Sequence, residues 1–175
     1  VVCCNDDPNP KVAGRGFAKL EAANIRVVRH ILEAEGRFLN RRFFTFMEQQ
    51  RPYIILKWAQ SADGFMAANN KPYWISNQIT SQLSHKWRAE EAAILVGAGT
   101  VRDDNPTLTT RLWSGMNPTR IVLGGAYEKS LYHIFDNQSE TLHYHKGESL
   151  QEIMTDLFNR KQQSVIVEGG RQVLD

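Results

Sequence analysis

The sequence predicts an α/β fold with a mostly parallel sheet, and two observations indicate it. Continuous apolar runs at residues 92–96, 119–125 and 164–170 have the composition of strands that are covered on both faces. An amphipathic helical pattern lies between the second and third of these runs, and strands that alternate with helices are typical of parallel sheets. The length of 175 residues, with 42% hydrophobic and 23% charged side chains, is sufficient for a buried core.

The first part of the chain has the pattern of a small strand–helix–strand unit. Residues 1–4 are predicted to end a strand, a turn follows at residues 5–10, and residues 26–28 form the next strand beyond a short helix. A unit of this size fits one parallel crossover. The adjacent Cys3 and Cys4 are too few for a disulfide framework and are predicted to be buried thiols.

A helical connector with one aromatic side is predicted at residues 30–50. The Arg51-Pro52 pair that follows indicates a boundary, because proline disfavours continuation of a helix. Residues 53–58 then form the first strand of the second part. The predicted domains are therefore residues 1–50 and residues 51–175.

Two helices of the second part have recognisable start signals. Ser76-Asn77 can cap a helix in which Ile79, Leu83 and Trp87 recur at spacings of four, which predicts an apolar face. Ser149 with Glu152 predicts a capping box, and the apolar positions that follow it keep the helical repeat up to residue 158.

Composition excludes several classes of protein. The formal net charge is +2, which leaves no excess of cations for nucleic-acid binding. No apolar run approaches the length of a membrane span, and the first residues lack the order of a signal peptide. The five histidines are scattered, so no metal site is predicted. A cytoplasmic protein that binds neither nucleic acid nor membrane is expected.

Ligands of open α/β sheets gather at the carboxyl ends of the strands, and three of the predicted strand ends carry candidate residues. Gly97, Gly99 and Thr100 suit a phosphate or nucleotide, because glycine lets backbone N–H groups approach closely, although a plain turn has the same pattern. Glu168 ends a buried strand and requires either a structural arginine or a ligand as partner. Lys57 interrupts an apolar strand, either as a site residue or as an edge-strand cation that reaches water.

Seven motifs in sequence order together resemble one family, the reductase domain of the bifunctional riboflavin-biosynthesis deaminase/reductases. They are residues 53–57 followed by 61–64, then Trp74-Ile75-Ser76, Arg88-Ala89, residues 97–101, the segment from Asp104 to Arg111, and Glu168-Gly169-Gly170. Upstream, residues 7–10 and 14–16 resemble the last crossover of the deaminase domain of that family.

The resemblance implies a dihydrofolate-reductase-like fold that binds NADPH. The implied reaction is reduction of the ribose of 5-amino-6-(5-phosphoribosylamino)uracil to ribityl, by hydride transfer to the sugar C1. Cofactor positions of the family fall on Ala59, Trp74, Thr100, Asp104 and Gly170, and the neighbouring Gly97, Gly99 and Gly169 are expected to bind the cofactor with them. Substrate positions fall on Arg88, Leu108, Arg111 and Glu168. Ser76 is also expected to bind substrate, and the catalytic positions are expected to be Lys57 and Glu168.

The expected roles of these residues follow from their charges. Arg88 and Arg111 would bind the substrate phosphate, and Lys57 and Glu168 would polarise or hydrogen-bond the sugar. Pro72 stands where the family has a substrate-binding serine or threonine. A non-catalytic nucleotide-binding module and a reductase of pterin or folate type are the alternative functions.

The first fifty residues are expected to be the carboxyl-terminal remnant of a cytidine-deaminase-like α/β domain. The zinc motif of that domain, a His-x-Glu and a later pair of cysteines, would precede Val1, so zinc and deaminase activity are expected only in a longer parent protein. The reductase domain is expected to continue beyond Asp175. The resemblance also implies a homodimer.

Overall fold

The computed structural model describes residues 1–66 and 75–174. The chain divides into two compact units, Val1–Tyr53 and Ile54–Asp175. The domain boundary predicted from the sequence lies after residue 50, three residues before the division between these units. Assignment of the first unit to a deaminase domain stays a prediction.

The first unit contains helices α1 (Arg15–Ala22), α2 (Glu33–Leu39) and α3 (Arg41–Gln49). Both strands expected in this unit are reduced to one parallel bridge between Val2 and Val28. The prediction that both cysteines are buried is wrong, since Cys4 is exposed and Cys3 is only half-buried. A single bridge leaves this segment without a sheet that could cover the thiols.

The expected connector consists of the two helices α2 and α3, and its aromatic residues are divided between interior and surface. Phe44 and Phe46 are buried, whereas Phe38 is exposed. The Arg37 guanidinium lies 4.4 Å from the centroid of the Phe44 ring, which adds a cation–π contact to the packing of this helix pair.

Five strands form the described sheet of the chain, in the order β1-β5-β2-β3-β4. They are β1 (Tyr53–Leu56), β2 (Ala93–Gly97), β3 (Thr119–Leu123), β4 (Thr141–Tyr144) and β5 (Ser164–Val167). The ladders β5-β2, β2-β3 and β3-β4 are parallel. The predicted α/β fold with a mostly parallel sheet is confirmed, and its central strands coincide with the apolar runs.

Strand β2 is apolar throughout because both faces of the sheet are covered there. Leu95 of β2 packs in a cluster with Leu157 of helix α6 (Leu150–Asn159). Its neighbour Ile94 faces the opposite side and packs with Val101 of helix α5 (Ala98–Asp104). Successive side chains of a strand point to opposite faces, so β2, which lies between two apolar clusters, is buried at every position.

Helix starts follow the predicted caps. Helix α4 (Gln78–Glu90) begins at Asn77, whose side chain accepts a hydrogen bond from the Thr80 N–H at 2.9 Å. The capping box of α6 is present, with Ser149 and Glu152 each bonded to the backbone of the other. The short helix α7 (Arg171–Leu174) closes the described chain. None of the described helices has the length and apolar character needed to cross a membrane.

The predicted apolar face of α4 does not lie in the core. Ile79, Leu83 and Trp87 are exposed, and the buried residue of this helix is His85. The regular spacing correctly predicted a helix, but the tertiary structure turns another face of it inward.

Candidate active site

Three charged side chains from separate elements meet at the carboxyl ends of β1 and β5. Glu168 directly follows β5, and its carboxylate accepts two hydrogen bonds from Arg88 of α4, at 2.7 Å from Nη2 and 3.1 Å from Nε. Lys57 directly follows β1, and its Nζ lies 3.5 Å from Glu168 Oε2. The backbone N–H of Lys57 also donates to the Val167 carbonyl at 3.0 Å, which fixes the two strand ends side by side.

The charge of Glu168 is stabilised by its neighbours. Its side chain is only 9% exposed. Burial by itself raises the pKa of this carboxyl, but the hydrogen bonds and charge of Arg88, together with Lys57, outweigh burial and hold the pKa below its ordinary value. One carboxylate therefore faces two cations. Lys57, with 24% of its side chain exposed, is the member of the group that is most accessible to solvent.

A loop between α5 and β3 adds further polar groups to this end of the sheet. The Thr109 carbonyl accepts a hydrogen bond from Arg88 Nη1 at 3.4 Å. Arg111 Nη1 donates to Thr107 Oγ1 at 3.2 Å, and the rest of the Arg111 side chain is exposed. Arg88 is occupied by Glu168, whereas Arg111 keeps donors that could bind an anion.

Leu108 lies in this loop, but its side chain does not face the site. It is 3% exposed and packs with the core cluster that contains Val101 and Ile134. Its backbone adopts a left-handed conformation with φ of 53°, which is unfavourable for a branched side chain. Substrate contact at Leu108 therefore stays a prediction, and the backbone of this residue would have to make it, because the apolar side chain packs in the core.

Sequence analysis missed His85. Its side chain is buried, and Nδ1 has no hydrogen-bond partner among the residues that the structure describes. Burial lowers the pKa of His85, and the charges of Arg88 and Arg111 lower it further. Positive charge from both arginines therefore disfavours protonation of this buried imidazole. Its position three residues before Arg88 on a helix was the available signal, since this spacing puts two side chains on one face.

The predicted glycine loop after β2 is not a loop. Gly97 ends the strand, and residues from Ala98 onward form α5. A Cβ at Gly97 or at Gly169 would collide with Val173 of α7, so α7 covers the backbone at both positions.

Other glycines at the same end of the sheet leave the backbone open. A Cβ built on Gly99, Gly170 or Gly124 would meet no atom of the described part of the chain within 4 Å. These positions follow β2, β5 and β3, and a flat ligand could approach the backbone closely there. Thr100, which is half-buried, adds a hydroxyl beside Gly99. This open backbone is compatible with the phosphates of a dinucleotide.

The remaining predicted site residues make no described contact with the charged group. Asp104 is the last residue of α5, where burial of its carboxyl and the charge of Asp103 raise its pKa. Ala59 and Ser76 are half-buried beyond β1 and before α4. Trp74, together with Pro72, lies outside the described residues.

Arg120 is a second residue that sequence analysis did not identify. It lies in the middle of the sheet on β3, and its side chain is fully buried. Its guanidinium bonds to the Asp136 carboxylate at 2.8 Å and to the Thr107 carbonyl at 3.3 Å. An arginine within the apolar run 119–125 was the signal, because a buried charge requires partners.

Comparison with known proteins connects this geometry to one family. Residues 52–175 match the RibD C-terminal domain. The riboflavin biosynthesis protein RibD of Aquifex aeolicus is 42% identical over 133 residues, which are 75% of this chain and 37% of that protein. RibD of Corynebacterium ammoniagenes is 32% identical over 180 residues, covering 97% of this chain and 51% of that protein.

A solved structure extends the likeness to almost the whole chain. It is a diaminohydroxyphosphoribosylaminopyrimidine deaminase/5-amino-6-(5-phosphoribosylamino)uracil reductase from Thermotoga maritima, which superposes with a TM-score of 0.87 at 33% identity. The match covers 99% of this chain and 54% of that protein. The chain thus spans about half the length, or less, of the relatives it matches.

Proposed function

The chain belongs to the RibD C-terminal domain family, and from that premise we propose that it is the reductase part of a riboflavin-biosynthesis enzyme. The proposed reaction is NADPH-dependent reduction of the ribose of 5-amino-6-(5-phosphoribosylamino)uracil to the ribityl product. The observation that carries the proposal is the convergence of Lys57, Arg88 and Glu168 at the carboxyl ends of two neighbouring strands. Strand ends are where the ligands of such sheets bind.

The substrate phosphate is proposed to bind at Arg111. This guanidinium is exposed and makes one described hydrogen bond, to Thr107 Oγ1, so that it keeps donors for a bidentate contact with phosphate. Arg88, by contrast, donates from both Nε and Nη2 to the Glu168 carboxylate. Its proposed role is therefore to hold Glu168 in place and to add positive potential, with direct contact to phosphate left mainly to Arg111.

The sugar is proposed to bind at Lys57 and Glu168. Reduction at C1 requires the ribose ring to open, and an ammonium and a carboxylate separated by 3.5 Å can hydrogen-bond neighbouring oxygens of an open sugar. The lowered pKa of Glu168 keeps it an acceptor at neutral pH. As the bond between C1 and the ring oxygen breaks and C1 forms a double bond to nitrogen, Lys57 is the proposed donor of the proton that the released ring oxygen takes up, because its ammonium is accessible from solvent.

Reduced nicotinamide, when bound, supplies the hydride. The residues that would hold the dinucleotide are Thr100 and the backbone at Gly99 and Gly170, where no atom of the described residues lies within 4 Å of a built Cβ. Asp104, at the end of α5, is a further proposed cofactor residue. From the family resemblance we also propose a preference for NADPH, a homodimeric state and a cytoplasmic location. The same resemblance is the basis for proposing a zinc-dependent deaminase in the parent protein.

Loss of NADPH absorbance on addition of the phosphoribosylaminopyrimidine tests the function. We expect Arg111→Ala to raise KM for this substrate about ten- to a hundredfold, because a hydrogen bond to a charged group contributes about 1.5–3 kcal/mol. The Kd of NADPH should stay near the wild-type value. Arg160→Ala serves as the control. It removes an exposed arginine that directly follows α6, and it should leave both constants unchanged.

Two results would contradict the proposal. Equal weakening of substrate and NADPH by Arg111→Ala would show that this arginine does not bind the substrate phosphate. Calorimetric binding of NADPH and pyrimidine without any loss of NADPH absorbance would favour a non-catalytic nucleotide-binding module.

A further inference from the structure

The environment of Arg120 is more elaborate than packing alone requires. The guanidinium of arginine carries five N–H donors, and all five have acceptors in this structure. Nε donates to Thr141 Oγ1 at 3.0 Å. Nη1 donates to the Asp136 carboxylate and the Thr107 carbonyl, and Nη2 donates to the carbonyls of Asp136 and Ser139 at 2.8 and 2.6 Å.

Burial of this arginine has a physical cost that an apolar residue would avoid. Its side chain is 0% exposed, and charges removed from water are stabilised only when they are paired and fully hydrogen-bonded. A methionine or leucine at this position of a buried strand would fill the space without such requirements. The retained guanidinium is therefore better explained by the groups that it holds than by stability.

One of these groups leads directly to the proposed phosphate site. The Thr107 carbonyl accepts from Arg120, and the Thr107 hydroxyl accepts from Arg111. A single residue thus joins the buried arginine to the exposed one. Thr107 Oγ1 also lies 3.3 Å from Thr109 Oγ1, two residues further along the same loop.

We propose that Arg120 is a positioning residue for substrate binding, which orients the Arg111 guanidinium through Thr107. The proposal rests on the proposed function, since it requires that Arg111 binds the phosphate of the substrate. Lysine cannot replace this arginine, because the three donors of one ammonium group on a flexible side chain cannot reach Thr141, Thr107 and Asp136 together.

The test compares the effects of Arg120→Lys, Arg111→Ala and the double variant on KM for the phosphoribosylaminopyrimidine. We expect Arg120→Lys to raise KM about tenfold, to leave kcat and the Kd of NADPH within about twofold, and to add nothing further in the Arg111→Ala background. A purely structural role would instead raise KM in both backgrounds equally. Additive effects would therefore overturn the proposal.

Asp136→Asn provides a second variant if Arg120→Lys does not fold. It keeps Arg120 and removes only the charge of its carboxylate partner, which is 29% exposed, so the same selective rise in KM is expected at smaller size. Thr141→Val is the matched control, because it removes the Nε acceptor on the side away from Thr107. A selective rise in KM from Thr141→Val as large as that from Asp136→Asn would contradict the proposal.

Binding of ribose 5-phosphate, measured by calorimetry, separates this inference from the proposed function. If the wild-type protein does not oxidise NADPH but binds ribose 5-phosphate, and Arg120→Lys weakens that binding only when Arg111 is present, the proposed reaction fails and the positioning role stands. If turnover is normal and Arg120→Lys leaves both KM and ribose 5-phosphate binding unchanged, the positioning role fails alone. Absence of both NADPH oxidation and ribose 5-phosphate binding in the wild type would overturn both.

Discussion

The most informative perturbation is Glu168→Gln, which keeps the shape of the side chain and removes its charge. Arg88 is then left with 13% side-chain exposure and without its carboxylate. Loss of one partner of a buried ion pair costs about 3–5 kcal/mol. The amide oxygen of glutamine can still accept one hydrogen bond, which restores about 1 kcal/mol. We therefore expect the free energy of unfolding to fall by about 2–4 kcal/mol.

Urea unfolding followed by circular dichroism measures this change. Glu90→Gln is the matched control, because Glu90 pairs with Lys86 at 3.7 Å on the surface of α4, where both side chains are more than 40% exposed. Exposed pairs contribute at most about 1 kcal/mol and often nothing measurable. The midpoint should therefore move clearly for Glu168→Gln and very little for Glu90→Gln.

A double-mutant cycle with Arg88→Met tests the assigned cause. Removal of both partners should cost less than the sum of the two single changes, because neither charge is then left buried alone. Equal effects of Glu168→Gln and Glu90→Gln, or simple additivity with Arg88→Met, would refute the conclusion that a buried ion pair organises this site.

Two further predictions concern pH and the glycines. Because the pKa of His85 is lowered in the folded protein, the unfolded chain takes up a proton below about pH 6.5 that the folded protein does not. Stability, measured by urea unfolding, should thus fall with pH below that value, and it should fall less in His85→Asn. Identical slopes in the two proteins would contradict this. Gly97→Ala would place a Cβ 2.5 Å from Val173 and should lower the free energy of unfolding by about 1–3 kcal/mol. Gly99→Ala, in open space within α5, should cost nothing, and equal losses from both would disprove the contact with α7.

Much of the fold could be predicted because local patterns and tertiary structure agree. The run that became β2 is apolar at every position, and a strand between two packed faces requires this pattern. Ser149 and Glu152 determine the start of α6 through bonds within one turn, so the sequence contains the complete information for that cap.

The site could be predicted only in part. Lys57 and Glu168 were identifiable as charges at the ends of strands, and the parallel sheet brings these ends together. The Arg88 guanidinium was expected to bind phosphate, but in the structure it is hydrogen-bonded to Glu168, 80 positions away in the chain. No local pattern determines which of several possible partners a long side chain selects.

The sequence by itself determined the α/β class, the central strands, the caps and the strand ends that carry charge, because each depends on residues within one or two turns of the chain. Only the tertiary structure decided that α4 buries His85, that α7 covers Gly97 and that Arg120 holds Thr107. These contacts join residues distant in sequence, and they depend on which surfaces meet once the elements pack.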